Sequence, residues 1–296
     1  MGCFEIISTE TYFFLKIAAA CFGFLGTLAI MLVYLKFAQI RTFSNKLIFN
    51  LALSQNIISI TYFIPNIIIR NETVCLVSGL VFNSLLLSTI FWTFSIVLTL
   101  NILIGKPFNT SLKFYKYWVV TAWIIIPALN LLPLITDSYS SANDGDYYTC
   151  TYKSNDFVSE LWRMALFYVP AWLFIILSSV IYCKVYKKLS ELRLEGESKE
   201  FINRLFFYPL FLLGILVPLS ILRVYQIFEN NCVSELMFKI VNIMFGVQGF
   251  LYFIVFFRTP SVISCIRPRK DLNAMLSQRN FLSDFDSSMA SDFEQK

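Results

Sequence analysis

Arg204 to Phe228, RLFFYPLFLLGILVPLSILRVYQIF, is a run of 25 residues whose only charges are Arg204 and Arg223 and which is broken by Pro209 and Pro218. At about 1.5 Å per residue, a helix of this length crosses a hydrocarbon layer of about 30 Å. Proline inside a helix of a soluble protein costs roughly 3 kcal/mol. In a bundle within a membrane, neighbouring helices and side chains re-satisfy the freed carbonyls, so the two prolines predict a kinked spanning helix. Arg223 then has to face protein, water or headgroups rather than lipid tails.

The whole chain has the composition such a helix needs. Hydrophobic residues make up 57% and charged residues 15%, against about 45–50% and about 25% in soluble domains. Too little polar surface remains to cover a soluble fold, and the chain reads as an integral membrane protein. Six further long apolar runs stand beside the first. The predicted helices cover about 11–35, 47–69, 76–104, 117–135, 161–185, 205–228 and 236–257. The first run is too long for a signal-peptide core and has no basic segment before it, so it reads as a signal anchor and first span. The expected fold is all-α: a seven-helix transmembrane bundle over residues 1–260, followed by a partly disordered polar tail over 261–296.

Cations set the orientation. With the N-terminus extracellular and the C-terminus cytoplasmic, 18 of the 24 basic residues fall in inner loops and tail, as the positive-inside rule requires. Lys16, Arg70, Lys153, Arg163, Arg223 and Lys239 are left on the outer side. Cys75 and Cys150 both lie outside, in an oxidising compartment, and a disulfide between them is expected to tie the second outer loop over the bundle mouth. Cys3 and Cys232 are a second outer couple whose pairing is left open. Cys265, on the inner side among basic residues, is a palmitoylation candidate. Asn71-Glu72-Thr73 is a glycosylation sequon close to the membrane. Ser277, Ser283, Ser287, Ser288 and Ser291 in the tail are candidate kinase targets.

Absences narrow the function. The chain has no histidine, which removes Ser-His-Asp and Cys-His catalysis and histidine metal sites. No acidic residue falls in mid-span, where proton-coupled carriers need one. The expectation is a non-enzyme without cofactor, metal or nucleic acid polymer as partner. Polar series remain in two spans: Asn50, Ser54, Gln55 and Asn56 in the second, and Asn83, Ser84, Ser88, Thr89, Thr93, Ser95, Thr99 and Asn101 in the third. They either line a cavity or bond helix to helix.

Glu160–Leu189, ELWRMALFYVPAWLFIILSSVIYCKVYKKL, carries Trp162, Arg163, Phe167, Tyr168, Pro170, Trp172, Tyr182 and Val185. In these residues it resembles helix five of the slime-mould cyclic AMP receptor class of G protein-coupled receptors. Tyr208-Pro209, Pro218, Arg223 and Tyr225 are similar to that class's helix six, and Gln248-Gly249-Phe250 to its helix seven. The resemblance covers most of residues 15–260. The chain departs from it at Tyr252, in the LTLNILIGKPF end of helix three, and in the Thr149-Cys150-Thr151 surround of the loop cysteine.

That resemblance implies a plasma-membrane receptor that passes an extracellular small-molecule signal to a heterotrimeric G protein. Arg163, Arg223 and Lys239, if they converge, form a cationic focus for an anionic, nucleotide-like ligand, with Tyr168 and Trp162 as further contacts. The alternative for the three cations is pairing with Asp137, Asp156, Glu229 or Glu235, or snorkelling to headgroups of the surrounding membrane lipids. Lys187, Lys188 and Arg193, between helices five and six, are the candidate G-protein-facing cations. The alternative function is a seven-helix carrier for a small solute, which the lack of internal repeats does not favour.

Overall fold

A computed structural model describes residues 9–63, 72–105, 108–141, 150–153, 156–191, 197–228, 232–259, 262–263 and 265. Helix α1 spans Thr9–Lys36, and a 3-10 turn at Ala38–Ile40 leads to α2, Phe43–Tyr62. Helix α3 is Glu72–Gly105. Helix α4, Phe108–Val120, passes through a π turn at Thr121–Ile125 into α5, Ile126–Leu129. A 3-10 turn at Leu132–Leu134 precedes strand β1, Tyr139–Ser141, which pairs antiparallel with β2, Cys150–Tyr152. Helix α6, Phe157–Arg163, runs through a second π turn, Met164–Tyr168, into α7, Val169–Glu191; α8 is Glu197–Phe228 and α9 is Cys232–Phe257.

Five helices among the described residues are long and apolar enough to cross a membrane: Glu10–Lys36, Thr73–Ile102, Phe114–Leu134, Phe157–Lys187 and Lys239–Phe257. Part of α8, Phe207–Leu222, is a shorter apolar helix. With the composition, these helices make the chain a membrane protein. Helix α2 is not among the five, because Asn45, Asn50, Ser54, Gln55, Asn56 and Ser59 interrupt its apolar residues. All six are buried. The helices also run past the apolar runs that announce them, as at 197–204 of α8. The short β1–β2 ladder is the departure from the expected all-α fold.

Helix α1 packs between α2 and α9, α2 packs on α3, and α3 packs on α7, α8 and the β ladder. Ile30, Leu51, Ile58, Trp92, Ile215 and Tyr252 are fully or almost fully buried in the shared core. Glycine sets the tightest contact. A Cβ on Gly23 would stand 2.1 Å from the carbonyl oxygen of Gly246, and one on Gly249 would stand 2.6 Å from that of Gly23. No side chain fits between these backbones, and small residues let two helices approach so closely.

Proline explains both π turns. A proline ring clashes with the carbonyl four residues before it. For Pro127 that is the carbonyl of Trp123, and for Pro170 that of Leu166; each lies within a π turn. The wider turn moves the carbonyl off the ring while the helix continues. Pro209 and Pro218 lie instead within the unbroken α8. Pro218 stands four residues after Gly214, where an added Cβ would meet nothing within 4 Å.

Candidate functional site

The end of the bundle that carries the β ladder is built from the residues around Arg163. Tyr139 and Tyr152 face each other across the ladder and stack at 5.0 Å between ring centroids. The Tyr139 hydroxyl donates to the backbone carbonyl of Asn130 at 3.0 Å. Burial pushes both tyrosine hydroxyls above their ordinary range. Beneath them, Arg163 is 5% exposed. Its guanidinium pairs with Glu160, donates to the carbonyl of Tyr152 at 2.7 Å and lies over the Tyr152 ring. Asp156 caps α6 by accepting the Ser159 backbone N–H at 3.0 Å. The Ser159 hydroxyl and amide hold the Asp156 carboxyl below the usual carboxylate range.

Arg163 therefore locks the ladder to α6. Of the acids weighed as partners for the outer cations, Asp137 pairs with Lys153 at 2.7 Å and Asp156 is the cap, while Glu229 lies outside the described residues and the Glu235 side chain outside the described ones. Trp162 is half-buried and donates from its indole to the Thr136 hydroxyl at 2.9 Å, which holds the same segment. Tyr168 is buried in the second π turn, edge-on to Phe167 at 5.2 Å. Lys239 is 4% exposed, with its Nζ over the Tyr12 ring of α1 at 6.0 Å. Arg223 lies on α8, and its side chain falls outside the described ones. Lys16 was not singled out as a site residue from sequence, although a lysine inside an apolar run was the available signal. It is half-buried, with its Nζ 5.2 Å above the Tyr62 ring.

The polar residues of α2 bond helix to helix. The Asn50 amide donates to the Tyr115 hydroxyl at 3.1 Å and accepts from the Trp123 indole at 3.1 Å. Asn56 donates to the Thr27 hydroxyl at 3.0 Å and Gln55 to the Phe245 carbonyl at 3.2 Å. In α3, Ser88 donates to the Ala122 carbonyl at 2.7 Å, inside the first π turn, while Thr93, Ser95 and Thr99 bond to carbonyls one turn back. A cleft between α3, α7 and α8, lined by Thr93, Phe94, Phe174, Ser178, Pro209 and Leu212, encloses about 20 Å³. That is room for a water molecule, not for an organic ligand.

Lys187 is exposed near the end of α7. The Lys188 side chain lies outside the described ones, and Arg193, Asn71, Cys3 and the tail serines lie outside the described residues. Cys75 is buried at the start of α3 and disulfide-bonded. Cys150 opens β2, with its side chain outside the described ones, as is that of Cys232 on α9. The Cys265 thiol is half-buried and donates to the side-chain oxygen of Gln39 at 3.4 Å.

No protein-family model matches the chain. Over 188 residues it is 24% identical to "Ascaroside receptor GPR3" of Arthrobotrys oligospora, a match covering 60% of this chain and 45% of that protein. The similarity is to a receptor. The chain spans less than half the length of this relative.

Proposed function

We propose that the chain is a G protein-coupled receptor of the cyclic-AMP-receptor-like kind. In this reading seven helices cross the plasma membrane, with the β-ladder end and the N-terminus outside. The observation that carries the proposal is the similarity to a named receptor in a chain with five helices, among the described residues, that are long and apolar enough to cross a membrane. The cation count supports the orientation, since it assigns most basic residues to the side opposite the ladder. We assign the disulfide of Cys75 to Cys150, because α3 packs against β2 and Cys150 is its first residue. Lys187, Lys188 and Arg193 fall on the inner face in this reading, where a G protein docks.

An extracellular ligand shifts the bundle between two packings. Helix α8, with its two prolines and Gly214, is the element suited to move. The Trp172 indole donates to the Ser220 hydroxyl at 3.1 Å and ties α7 to α8 close to Pro218. The deciding experiment is nucleotide exchange on a co-purified heterotrimeric G protein, with a panel of anionic small molecules that includes cyclic AMP and, after the relative's name, ascarosides. Ligand-dependent exchange is expected. Solute uptake by reconstituted liposomes, with exchange unchanged throughout the panel, would replace the receptor reading with the carrier.

A further inference from the structure

The connection from α1 to α2 brings two cations to one end of the bundle. Helix α1 ends at Lys36, and the last carbonyls of a helix lack partners within it. Arg41 folds back onto them: Nε donates to the Tyr34 carbonyl at 3.3 Å and Nη2 to that of Leu35 at 2.5 Å. Its Nη1 has no partner among the described residues, and the side chain is exposed. Thr42 then caps α2 by accepting the Asn45 amide, and Lys46 follows at the end of the first turn, also exposed.

Two tyrosines join these cations into one surface. The Tyr34 ring of α1 packs on Phe49 of α2 at 4.7 Å between centroids. Phe49 and Asn50 lie three and four residues after Lys46 and so share its face of α2. The Lys46 Nζ stands 4.2 Å from the centre of the Tyr115 ring of α4, and Asn50 donates to the Tyr115 hydroxyl at 3.1 Å. The Tyr34 hydroxyl interacts electrostatically with that of Tyr115 and with the Arg41 guanidinium. Both tyrosines are half-buried. The Tyr115 oxygen already accepts from Asn50, so its own proton remains for an outside acceptor.

No carboxylate offsets this charge. The sequence has no acidic residue between Glu10 and Glu72, nor between Glu72 and Asp137. Glu10 opens α1, and Glu72 opens α3, which packs through Phe82 on Tyr62 at the far end of α2. Neither Arg41 nor Lys46 forms an ion pair among the described residues. An aromatic face attracts a cation but leaves its charge uncancelled. The depth is that of headgroups: one apolar helix ends at Lys36, and another begins at Phe114. Leu32 and Leu35, around Tyr34 on α1, are exposed and offer acyl chains an apolar wall.

We propose that Tyr34, Arg41, Lys46 and Tyr115 bind an anionic phospholipid whose headgroup bears a phosphate monoester. Arg41 donates from Nη1, the Lys46 ammonium supplies the second charge, and the two phenols donate hydrogen bonds. A monoester carries close to two negative charges at neutral pH, which two cations match. In the orientation proposed above, this end faces the cytoplasmic leaflet, where anionic lipids collect. The site goes beyond the receptor reading and rests only on the chain being a membrane protein.

The test is native mass spectrometry of the full chain in neutral detergent, titrated with phosphatidylinositol phosphate, phosphatidylinositol and phosphatidylcholine. Phosphatidylinositol phosphate should bind saturably, and the two lipids without a monoester at least about tenfold more weakly. Lys46→Gln and Arg41→Gln should each weaken that binding about tenfold, while Lys46→Arg and Lys184→Gln on α7 should keep it. Unliganded Tm values show which variants fold. Lys46 holds no backbone group through its side chain, so Lys46→Gln carries the test if Arg41→Gln loosens the end of α1.

Inositol phosphate without acyl chains separates a lipid from a free phosphate and should bind far more weakly than the lipid. Equal affinity would overturn the lipid assignment. No preference for the monoester, binding unchanged in Lys46→Gln, or an equal loss in Lys184→Gln would overturn the site. The assay holds no G protein, so silent nucleotide exchange would sink the receptor reading and leave the lipid site standing.

Discussion

Arg163 and Lys153 are both cations of the ladder end, and burial separates their weight. The Arg163 side chain is 6% exposed, whereas the Lys153–Asp137 pair is 35% and 86% exposed. Removing one partner of a buried, hydrogen-bonded charge leaves the other groups desolvated and costs about 3 kcal/mol, while an exposed pair is worth about 1 kcal/mol or less. Arg163→Met should therefore lower Tm clearly and open the 139–152 segment to trypsin, and Lys153→Ala should do neither. Asp156 gives a pH dependence whose sign follows from its lowered pKa. Its capping contribution is present above the ordinary carboxylate range and is lost as pH falls through the lower folded-state value. Asp156→Asn should remove that acid response, read by circular dichroism between neutral and strongly acidic pH, because an amide oxygen caps without titrating. The sequence marked Arg163 as a residue of consequence through its place at the start of an aromatic span. It did not show that Glu160 and the Tyr152 carbonyl take up the guanidinium, since those contacts depend on how a loop folds back.

Among the elements, glycine substitutions separate contact from conformational freedom. Gly23→Ala places a methyl 2.1 Å from a backbone oxygen, which neither helix can relieve without moving apart, and overpacking of this kind costs about 1–3 kcal/mol. Gly214→Ala meets nothing within 4 Å and removes backbone entropy from the unfolded chain, which stabilises a helix by about 0.5–1 kcal/mol. Thermal unfolding should thus move in opposite directions for the two. On the receptor reading, the Gly214 variant should also reduce ligand-stimulated exchange if α8 bends between Gly214 and Pro218. Long apolar runs made the helices legible, because length and hydropathy are local properties. Helix α2 was legible for the same reason, and its amides proved to be ties to α1, α4, α9 and the first π turn. The π turns and the β ladder were not legible. A π turn differs from an α turn by one carbonyl displaced by a proline, and the ladder joins short polar segments that carry no periodic signal.

At the scale of the whole molecule, the bundle interior is closed but not fully satisfied. The buried side-chain atoms without a hydrogen-bond partner include Gln55 Oε1, Thr89 Oγ1, Trp92 Nε1, the Tyr208 hydroxyl and Gln248 Oε1, drawn from α2, α3, α8 and α9. Tyr208 is 1% exposed and lies 5.3 Å from the Tyr252 ring, while Gln248 donates to the Tyr252 hydroxyl. A buried hydroxyl left unbonded costs about 1–3 kcal/mol. This arrangement of the helices therefore carries a penalty at Tyr208, which a placement of α8 that gave the hydroxyl a partner would remove. Tyr208→Phe deletes the orphan oxygen and keeps the ring, so it should raise Tm in the unliganded protein. On the receptor reading, if a second placement gives that oxygen a partner, the same variant should lower ligand-stimulated nucleotide exchange. A fall in Tm would mean that the hydroxyl is already bonded through water in the resting bundle. Tyr208 would then be part of its framework, and the switch would have to be sought at the Trp172–Ser220 tie between α7 and α8.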